Sequence, residues 1–384
     1  MTMEFSTRVE RVDPSATLAI GNRANELEAD GVDVVDLSVG EPDFPTPGNV
    51  VEAAKRALDA GHTGYTSSNG IPKLRTAVAE KLQDDGLPYE PRNVVITPGA
   101  KQALFEVVQA VVDDGDEVVL LDPSWVSYEA QGKLAGGSIT HVPTAEYDFQ
   151  LEPALDDLAD AVSDETALLL INSPNNPTGA VYSDAALKGV RDLAVEHDLT
   201  VLSDEIYKEI TYDGPATSLA ELDGMFDRTV TVNGFSKAYS MTGWRLGYFA
   251  APEALVSEAG KLHSHSVTCA TNFVQHAGVE AIENADTAVG QMVEAFEDRR
   301  DLLIDLLADE GVDVPAPDGA FYLMVPVAED DAAWARNALE EAHVATVPGS
   351  AFAAPGYARL SYAASTERIR EGVRRLGESG HLSG

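Results

Sequence analysis

The stretch TVNGFSKAYSMTGWRLGYFA, from Thr231 to Ala250, contains Lys237 and Arg245 between two apolar, strand-like runs. Basic residues are scarce in this chain, which has 26 Lys and Arg against 64 Asp and Glu, and the window contains no acidic residue. A lysine in a packed, partly apolar site has a lowered amine pKa and is available as a nucleophile toward aldehydes. The window therefore predicts Schiff-base chemistry at Lys237. Taken alone, it also fits a lysine that pairs with a carboxylate at a strand end.

Apolar runs and helix-like segments alternate through the first three quarters of the chain, and further helical segments follow. Runs that are apolar on both faces indicate a buried, mostly parallel sheet covered by helices. Open sheets of this kind bind ligands at the carboxyl ends of their strands. The predicted strands are Val94–Thr97, Glu117–Leu121, Ala167–Asn172, Thr200–Ser203, Thr229–Val232 and Trp244–Ala250, with a turn at Gly234. The predicted helices are Val51–Ala60, Ile71–Asp85, Ala103–Val112, Asp184–His197, Asn284–Gly311, Ala332–Ala342 and Ser365–Gly377.

Two loops after these strands carry amide and carboxylate groups. SPNNPTG is fixed by two prolines and a glycine, so the side-chain amides of Asn175 and Asn176 can point into a cleft. SDEIY places Asp204 after apolar residues, where a buried carboxylate needs a positive partner such as a protonated pyridine nitrogen. Tyr207 can then donate to a phenolate oxygen of the same ring. Taken singly, the first loop also fits a rigid turn, and Asp204 also fits a helix N-cap.

Two further loops provide an anion site and an aromatic face. TPGAKQAL reads as a strand, a glycine turn and a helix, and a helix N-terminus favours an anionic phosphate. DPSWVSY places Trp125 after another strand, where its indole can stack on an aromatic ring or simply pack in the core. The groups assigned to the phosphate are the backbone N–H groups of Gly99 and Ala100, Lys101, Ser236 and Arg245.

An amine nucleophile, a buried acid, a phenolate donor, an aromatic face and a phosphate cradle together match the requirements of pyridoxal phosphate. A nicotinamide enzyme would need a G-x-G-x-x-G fingerprint, which the chain lacks. The ordered motifs SPNNPTG, SDEIY and FSKAYSMTGWRLGY resemble those of the fold-type I, class I/II aminotransferases, the aspartate aminotransferase family, and especially its prokaryotic branch. The resemblance extends from DPSATLAI and LSVGEPDFPTP near the N-terminus to ARLSYA near the C-terminus.

The resemblance implies an α/β fold with two domains. A large domain would hold a mostly parallel seven-stranded sheet sandwiched by helices, and a smaller α+β domain would be built from both termini. The implied division assigns residues 1–47 to an N-terminal arm and part of the small domain. Residues 48–285 would form the large cofactor domain and residues 286–384 the small C-terminal domain.

The resemblance also implies a role for each motif residue. Lys237 would form the Schiff base, Asp204 would pair with the ring nitrogen, and Arg359 would bind the substrate α-carboxylate as a bidentate fork. Asn176 and Tyr207 would contact the phenolate oxygen. Trp125 would stack on the ring, and Gly40, Trp125 and Asn176 would line the substrate pocket. The residues implied at the phosphate are Gly99, Ala100, Lys101, Ser236 and Arg245. The resemblance also implies a homodimer in which Tyr65 contacts the phosphate of the neighbouring subunit.

Two positions depart from the pattern of this family. Many relatives carry Ser where this chain has Gly234, which removes one expected hydrogen bond to phosphate. Ala100 replaces a frequent Ser or Gly but keeps its backbone N–H. We assign no metal site.

The expected reaction is ping-pong transfer of an amino group from an L-amino acid, aspartate-like by default, to a 2-oxo acid such as 2-oxoglutarate. A β-eliminating or aminocyclopropane-forming lyase would share every cofactor residue, and aromatic or alanine-type donors stay open. The segments expected around the substrate side chain, Pro14–Thr17, Ser67–Gly70 and Gln109, contain no basic residue. A cofactor-sensing regulator of this fold would need an added basic DNA-binding domain, whereas the family motifs here start at Asp13.

The net charge of −38 at pH 7 disfavours nucleic acid and anionic membranes as partners, and we interpret it as adaptation to a salty cytosol. Cys269 is the single cysteine, which favours a reducing compartment. No secretory signal or membrane-length apolar run is seen, so a cytoplasmic location is expected.

Overall fold

The computed structural model describes residues 4–14 and 16–382. Its α-helices are α1 Ala16–Ala29, α2 Gly48–Asp59, α3 Pro72–Asp84, α4 Ala100–Val111, α5 Val126–Ala135, α6 Leu155–Ala161, α7 Asp184–Glu196, α8 Glu253–Ser266, α9 Asn272–Asn284, α10 Asp286–Asp309, α11 Asp331–Glu341 and α12 Thr366–Glu378. Its strands are β1 Val35–Asp36, β2 Val94–Thr97, β3 Glu117–Asp122, β4 Ser138–Pro143, β5 Thr166–Asn172, β6 Thr200–Asp204, β7 Thr229–Gly234, β8 Gly247–Ala250, β9 Tyr322–Pro326, β10 Val344–Ala345, β11 Val347–Pro348 and β12 Tyr357–Ser361.

A seven-stranded sheet with the order β2-β8-β7-β6-β5-β3-β4 forms the centre of the fold. All neighbouring strands are parallel except β8, which is antiparallel to both β2 and β7. The central strands are buried on both faces because helices cover them on each side, as their apolar sequences predict. The parallel register pairs Asn172 with Asp204, so the carboxyl ends of β5 and β6 bring two polar side chains to one edge.

The window that contains Lys237 differs from its prediction in two details. The second strand begins at Gly247 and not at Trp244, because residues Thr242–Trp244 form a 3-10 turn and Arg245 has a left-handed φ of 55°. Gly234 is the last residue of β7, paired with Gly247, and is not a turn. A Cβ at Gly234 would lie 2.9 Å from the Cα of Gly247, so close strand pairing explains glycine at this position.

The C-terminal third forms smaller sheets beside the long helix α10. An antiparallel sheet has the order β11-β12-β9, and β1 from the N-terminal region pairs in parallel with β10. Strand β12 holds Arg359 buried in this part of the molecule. No helix in residues 4–14 and 16–382 is long and apolar enough to cross a membrane.

Candidate active site

A cavity of about 590 Å³ opens at the carboxyl ends of the central strands. It collects side chains from the strand ends, from the N-terminus of α4 and from the segment that follows β1. The sequence-predicted residues that line it are Gly40, Ala100, Lys101, Trp125, Asn176, Asp204, Tyr207, Ser236, Lys237, Arg245 and Arg359.

Two predicted residues lie elsewhere. Gly99 is the N-cap of α4, next to the cavity, whereas Tyr65 is 89% exposed and does not line the cavity of its own chain. Residues 67–70 and Gln109, expected near the substrate side chain, are also absent from the described lining. Of the expected segment 14–17, residue Ser15 lies outside the described residues.

Lys237 lies in the turn that follows β7, with its amine directed at the segment after β1. The amine donates a hydrogen bond to the carbonyl oxygen of Gly40. Burial, and then the positive charge of Arg359, lower the pKa of Lys237 to about 8, while the charge of Glu41 opposes the shift. No carboxylate of the described residues lies within 4.0 Å of this amine, so the strand-end ion pair considered above is not formed. The Lys237 amine therefore loses its proton closer to neutral pH than the amine of an exposed lysine does.

Asp204 ends β6 at the floor of the cavity and is 2% exposed. Burial raises its pKa from 3.8 to about 6, although two hydrogen bonds favour the charged form. The hydroxyl of Tyr128 donates to Oδ2 at 2.7 Å, and the backbone N–H of Ile206 donates to Oδ1 at 3.2 Å. Among the described residues no ion pair forms with this carboxylate, and a protonated ring nitrogen would supply a cation for it.

Arg359 is a buried guanidinium, 3% exposed, without a carboxylate within 4.0 Å among the described residues. Nη1 donates to Oδ1 of Asn176 at 3.0 Å, and Nη2 donates to the carbonyl oxygen of Ser38 at 2.6 Å. Nε is buried with no hydrogen-bond partner in the described part of the chain. The guanidinium lies over the ring of Tyr322, 4.4 Å from its centroid. Such a group lacks the anion that normally accompanies a buried arginine.

Asn176 is held in place from β5. Its backbone N–H donates to Oδ1 of Asn172 at 2.8 Å, and Nδ2 of Asn172 donates to the carbonyl oxygen of Asp204 at 2.8 Å. One asparagine therefore connects the loop SPNNPTG to the strand end that carries Asp204.

A basic pocket lies at the N-terminus of α4. A Cβ at Gly99 would lie 2.5 Å from Nη2 of Arg245, and one at Gly247 would lie 2.4 Å from the backbone N of Ala100. Two glycines therefore let the guanidinium and β8 approach the helix start. Burial, and then the charge of Arg245, lower the pKa of Lys101, whose amine lies 4.5 Å from the ring centroid of Trp125. Ser236 lines the same cavity. The N-terminus of α4 and these basic groups are all favourable to an anion, so together they suit a phosphate.

The structure also identifies cavity residues to which sequence reasoning gave no role. Tyr128 holds Asp204, and the hydroxyl of Tyr322 lies 2.9 Å from that of Tyr207. Tyr128 lies in the DPSWVSY motif, three residues after Trp125, so its place in that motif could have indicated a role in the site. Tyr322 had no such signal, because its partner lies 115 residues away in the chain.

Comparison with known proteins identifies the family. The model of the family "Aminotransferase class I and II" matches residues 32–376. The chain belongs to the class I and II aminotransferases. It is 44% identical over 389 residues to the probable aspartate/prephenate aminotransferase of Aquifex aeolicus, covering 98% of each chain. It is also 44% identical to the aspartate/prephenate aminotransferase of Thermus thermophilus, with 97% of each covered.

Solved structures agree with this assignment. The aspartate aminotransferase of Thermus thermophilus with maleate superposes with a TM-score of 0.95 at 42% identity, over 98% of this chain and all of that one. The aromatic aminotransferase of Pyrococcus horikoshii OT3 gives a TM-score of 0.88 at 41% identity, over 93% of this chain and 98% of the other. The predicted fold class, the transaminase activity and the pyridoxal phosphate cofactor are thereby confirmed.

The residues of this aminotransferase fit the cofactor. A buried carboxylate with a raised pKa suits a pyridinium nitrogen, a lysine with a lowered pKa suits an aldehyde, and the glycine-lined basic pocket suits a phosphate. The buried, anion-free Arg359 suits a carboxylate beside them. Three different functional groups of one cofactor, and one of its amino-acid substrate, thus have complementary partners in a single cavity.

Proposed function

We propose that this aminotransferase takes the amino group from an acidic L-amino acid such as aspartate and passes it to a 2-oxo acid such as 2-oxoglutarate. The observation that carries the proposal is the set of basic groups in the cavity. Lys101, Lys237, Arg245 and Arg359 line it together with Asp36, Glu41 and Asp204, and none of the four basic groups forms an ion pair with a described carboxylate. The cofactor phosphate and the substrate α-carboxylate account for Arg245 and Arg359, and a second substrate carboxylate would give Lys101 an anionic partner that a neutral side chain cannot provide.

Arg359 and Arg245 have separate tasks in this scheme. Arg359 binds the α-carboxylate, and its free Nε is directed at no protein acceptor. Arg245 and the N-terminus of α4 bind the phosphate, with Ser236 beside them. Lys101 lies between these groups and Trp125, so it can serve the phosphate or a second substrate carboxylate. The names of the relatives from Aquifex and Thermus, which include aspartate, support this substrate class.

Lys237 and Asp204 would perform the proton chemistry. Pyridoxal phosphate, when bound, supplies an electron-withdrawing ring conjugated to the substrate Cα. Lys237 would hold the cofactor through its amine and, once free, move the proton at Cα. A pKa of about 8 suits this work, because a general base is most effective when its pKa is near the working pH. Asp204 would keep the ring nitrogen protonated, and Tyr128 would hold that carboxylate in place.

Substrate orientation would come from the Asn172–Asn176–Arg359 chain of hydrogen bonds. Asn176 fixes one arm of the guanidinium and Ser38 fixes another, so the fork presents a constant geometry to the carboxylate. Tyr207, held by Tyr322, would donate its hydroxyl to the phenolate oxygen of the cofactor.

We further propose a homodimer with shared sites in the cytoplasm. Tyr65 is a large aromatic side chain with 89% exposure, which a partner subunit would cover.

The division into residues 1–47, 48–285 and 286–384 is also proposed, and the pairing of β1 with β10 supports joining the N-terminal arm to the C-terminal part.

The half-reaction tests the proposed function. Purified holoenzyme is mixed with stoichiometric aspartate and no 2-oxo acid, and the cofactor form, the 2-oxo acid product and ammonia are measured. A transaminase converts its bound cofactor to the amine form with one equivalent of 2-oxo acid and no ammonia. Continuous ammonia release would indicate the lyase alternative. Phenylalanine and alanine, tested in parallel, separate the acidic donor from aromatic and small donors.

A further inference from the structure

The segment of residues 40–47 lies along the loop of residues 235–245, which contains Ser236, Lys237 and Arg245. Its beginning contacts the loop twice. Gly40 accepts the hydrogen bond of the Lys237 amine, and Oε2 of Glu41 accepts one from the hydroxyl of Thr242 at 2.7 Å. The first half of the segment therefore contacts the loop at Lys237 and at Thr242.

Thr46 connects the second half of the segment to the same loop through one hydroxyl. Its Oγ1 donates to the carbonyl oxygen of Ser240 at 2.6 Å and accepts from Nε1 of Trp244 at 3.0 Å. A hydroxyl has one proton and two lone pairs, so both bonds form at once. Thr46 thus ties the middle of the loop to its end; we call this pair of hydrogen bonds the Thr46 clamp.

The clamped backbone is one that needs external support. Ser240 has a φ of 51°, a left-handed conformation that a non-glycine residue keeps only when its surroundings impose it. The turn is short, since the N–H of Ser240 donates to the carbonyl oxygen of Lys237 at 3.2 Å. At the other end, Nη1 of Arg245 donates to the carbonyl oxygen of Thr242 at 2.7 Å. A shift of Ser240 or Trp244 would therefore move Lys237 and Arg245.

One side of the loop packs into the core, where Phe235, Tyr239 and Met241 are buried. On the other side, a pocket of about 260 Å³ that is open to solvent lies between the loop, the segment and α10. Groups that face this pocket have fewer packing partners than groups in the core. The described residues around it are Phe44, Pro45, Thr46, Pro47, Gly48, Ala238, Ser240, Ala288, Gln291 and Met292. On this side, the position of the loop therefore depends more on hydrogen bonds such as those of the Thr46 clamp.

We propose that Thr46 is a positioning residue of this aminotransferase, which acts by holding the loop that presents Lys237 and Arg245. The proposal deepens the proposed function, on whose assignment of Lys237 to the amine chemistry and Arg245 to the phosphate it rests. It gives no chemical role to Thr46 itself, which does not line the active-site cavity among the described residues.

Two variants of the holoenzyme test the clamp. Thr46→Val keeps the shape and removes both hydrogen bonds, while Thr46→Ser keeps the hydroxyl and serves as the matched control. Amide hydrogen exchange of residues 236–245 should be about 10-fold faster in Thr46→Val, as the loss of about one net hydrogen bond predicts, and within about 2-fold of the parent in Thr46→Ser. The first-order release of pyridoxal phosphate after dilution should increase in the same order and by a similar factor.

Three results would overturn the proposal: unchanged exchange in Thr46→Val, equal exchange in the two variants, or faster exchange with cofactor release unaltered. The exchange measurement needs no substrate, so it is independent of which reaction is catalysed. An ammonia-releasing half-reaction would reject the proposed function, whereas a hydroxyl-dependent change in loop exchange and cofactor release would still support the Thr46 clamp.

Discussion

Replacement of Asp204 by Asn should stabilise the cofactor-free protein while it impairs the enzyme. Asp204 is almost fully buried, and its pKa rises from 3.8 to about 6. A rise of this size means that the ionised carboxylate disfavours the folded state by up to about 3 kcal/mol. Asparagine has the same shape without the charge, so Asp204→Asn should recover much of that free energy above pH 7.

The sign of the pH dependence follows from the direction of this pKa shift. Because the folded pKa is the higher one, the unfolded chain loses this proton first, and the stability that Asp204 provides is complete below about pH 4. That stability is lost between about pH 4 and 6, and the difference between variant and parent should widen by up to about 1.4 kcal/mol per pH unit over this range. Above about pH 7 the difference should be constant.

Urea unfolding of both cofactor-free proteins at pH 4, 5, 6, 7 and 8 would measure this difference. The exposed Asp223→Asn variant is the control for the loss of one negative charge from an acidic chain. Adding pyridoxal phosphate should then raise the unfolding midpoint of the parent more than that of Asp204→Asn, since the variant lacks the partner for the ring nitrogen. A difference that does not depend on pH, or a variant less stable than the parent at pH 8, would refute the reasoning.

Three other changes have equally definite outcomes. Lys237→Ala should lower kcat by more than about 100-fold and abolish borohydride-dependent linkage of cofactor to the chain, measured by mass spectrometry; retained activity would contradict its role. Arg359→Gln should raise KM for all amino donors by about 30-fold or more, because a buried charge pair loses one partner, whereas the exposed Arg370→Gln should leave KM unchanged. Raising KCl from 0.05 to 2 M should increase the unfolding temperature, because salt screens the repulsion within a chain of net charge −38. Sucrose of equal osmolality is the control and should not reproduce the full increase. An unfolding temperature that does not depend on KCl would count against adaptation to salt.

The central strands were predicted well from the sequence, because strands that are buried on both faces consist of continuous apolar runs. Strand β2 occupies Val94–Thr97 as predicted, and β5 and β6 differ from prediction by one residue at one end. Strand β4, Ser138–Pro143, was not predicted. It lies at the edge of the sheet with most of its residues partly or fully exposed, so it needs no continuous apolar run.

Eleven of the predicted site residues line the cavity, but the contacts between them were not predicted. Motif order located Asp204 and Arg359, because each stands in a short segment with its own composition. The partners of these groups come from other parts of the chain: Tyr128 lies 76 residues from Asp204, and Asn176 lies 183 residues from Arg359. Spacing along one chain cannot specify such pairs, since they depend on how helix α5 and the small sheet pack against the strand ends.

The charges of the cavity are individually unfavourable and become favourable together only with a ligand. In the part of the chain that the structure describes, neither the buried Asp204 nor the buried Arg359 forms an ion pair. Separate elements hold the two groups in place: Asn176 and Ser38 fix Arg359, while Tyr128 fixes Asp204. The ring nitrogen of the cofactor and the α-carboxylate of the substrate would together satisfy both groups. The free energy that folding gives up to keep these charges unpaired is then regained on binding, so stability and affinity for cofactor and substrate must vary in opposite directions when either residue is neutralised.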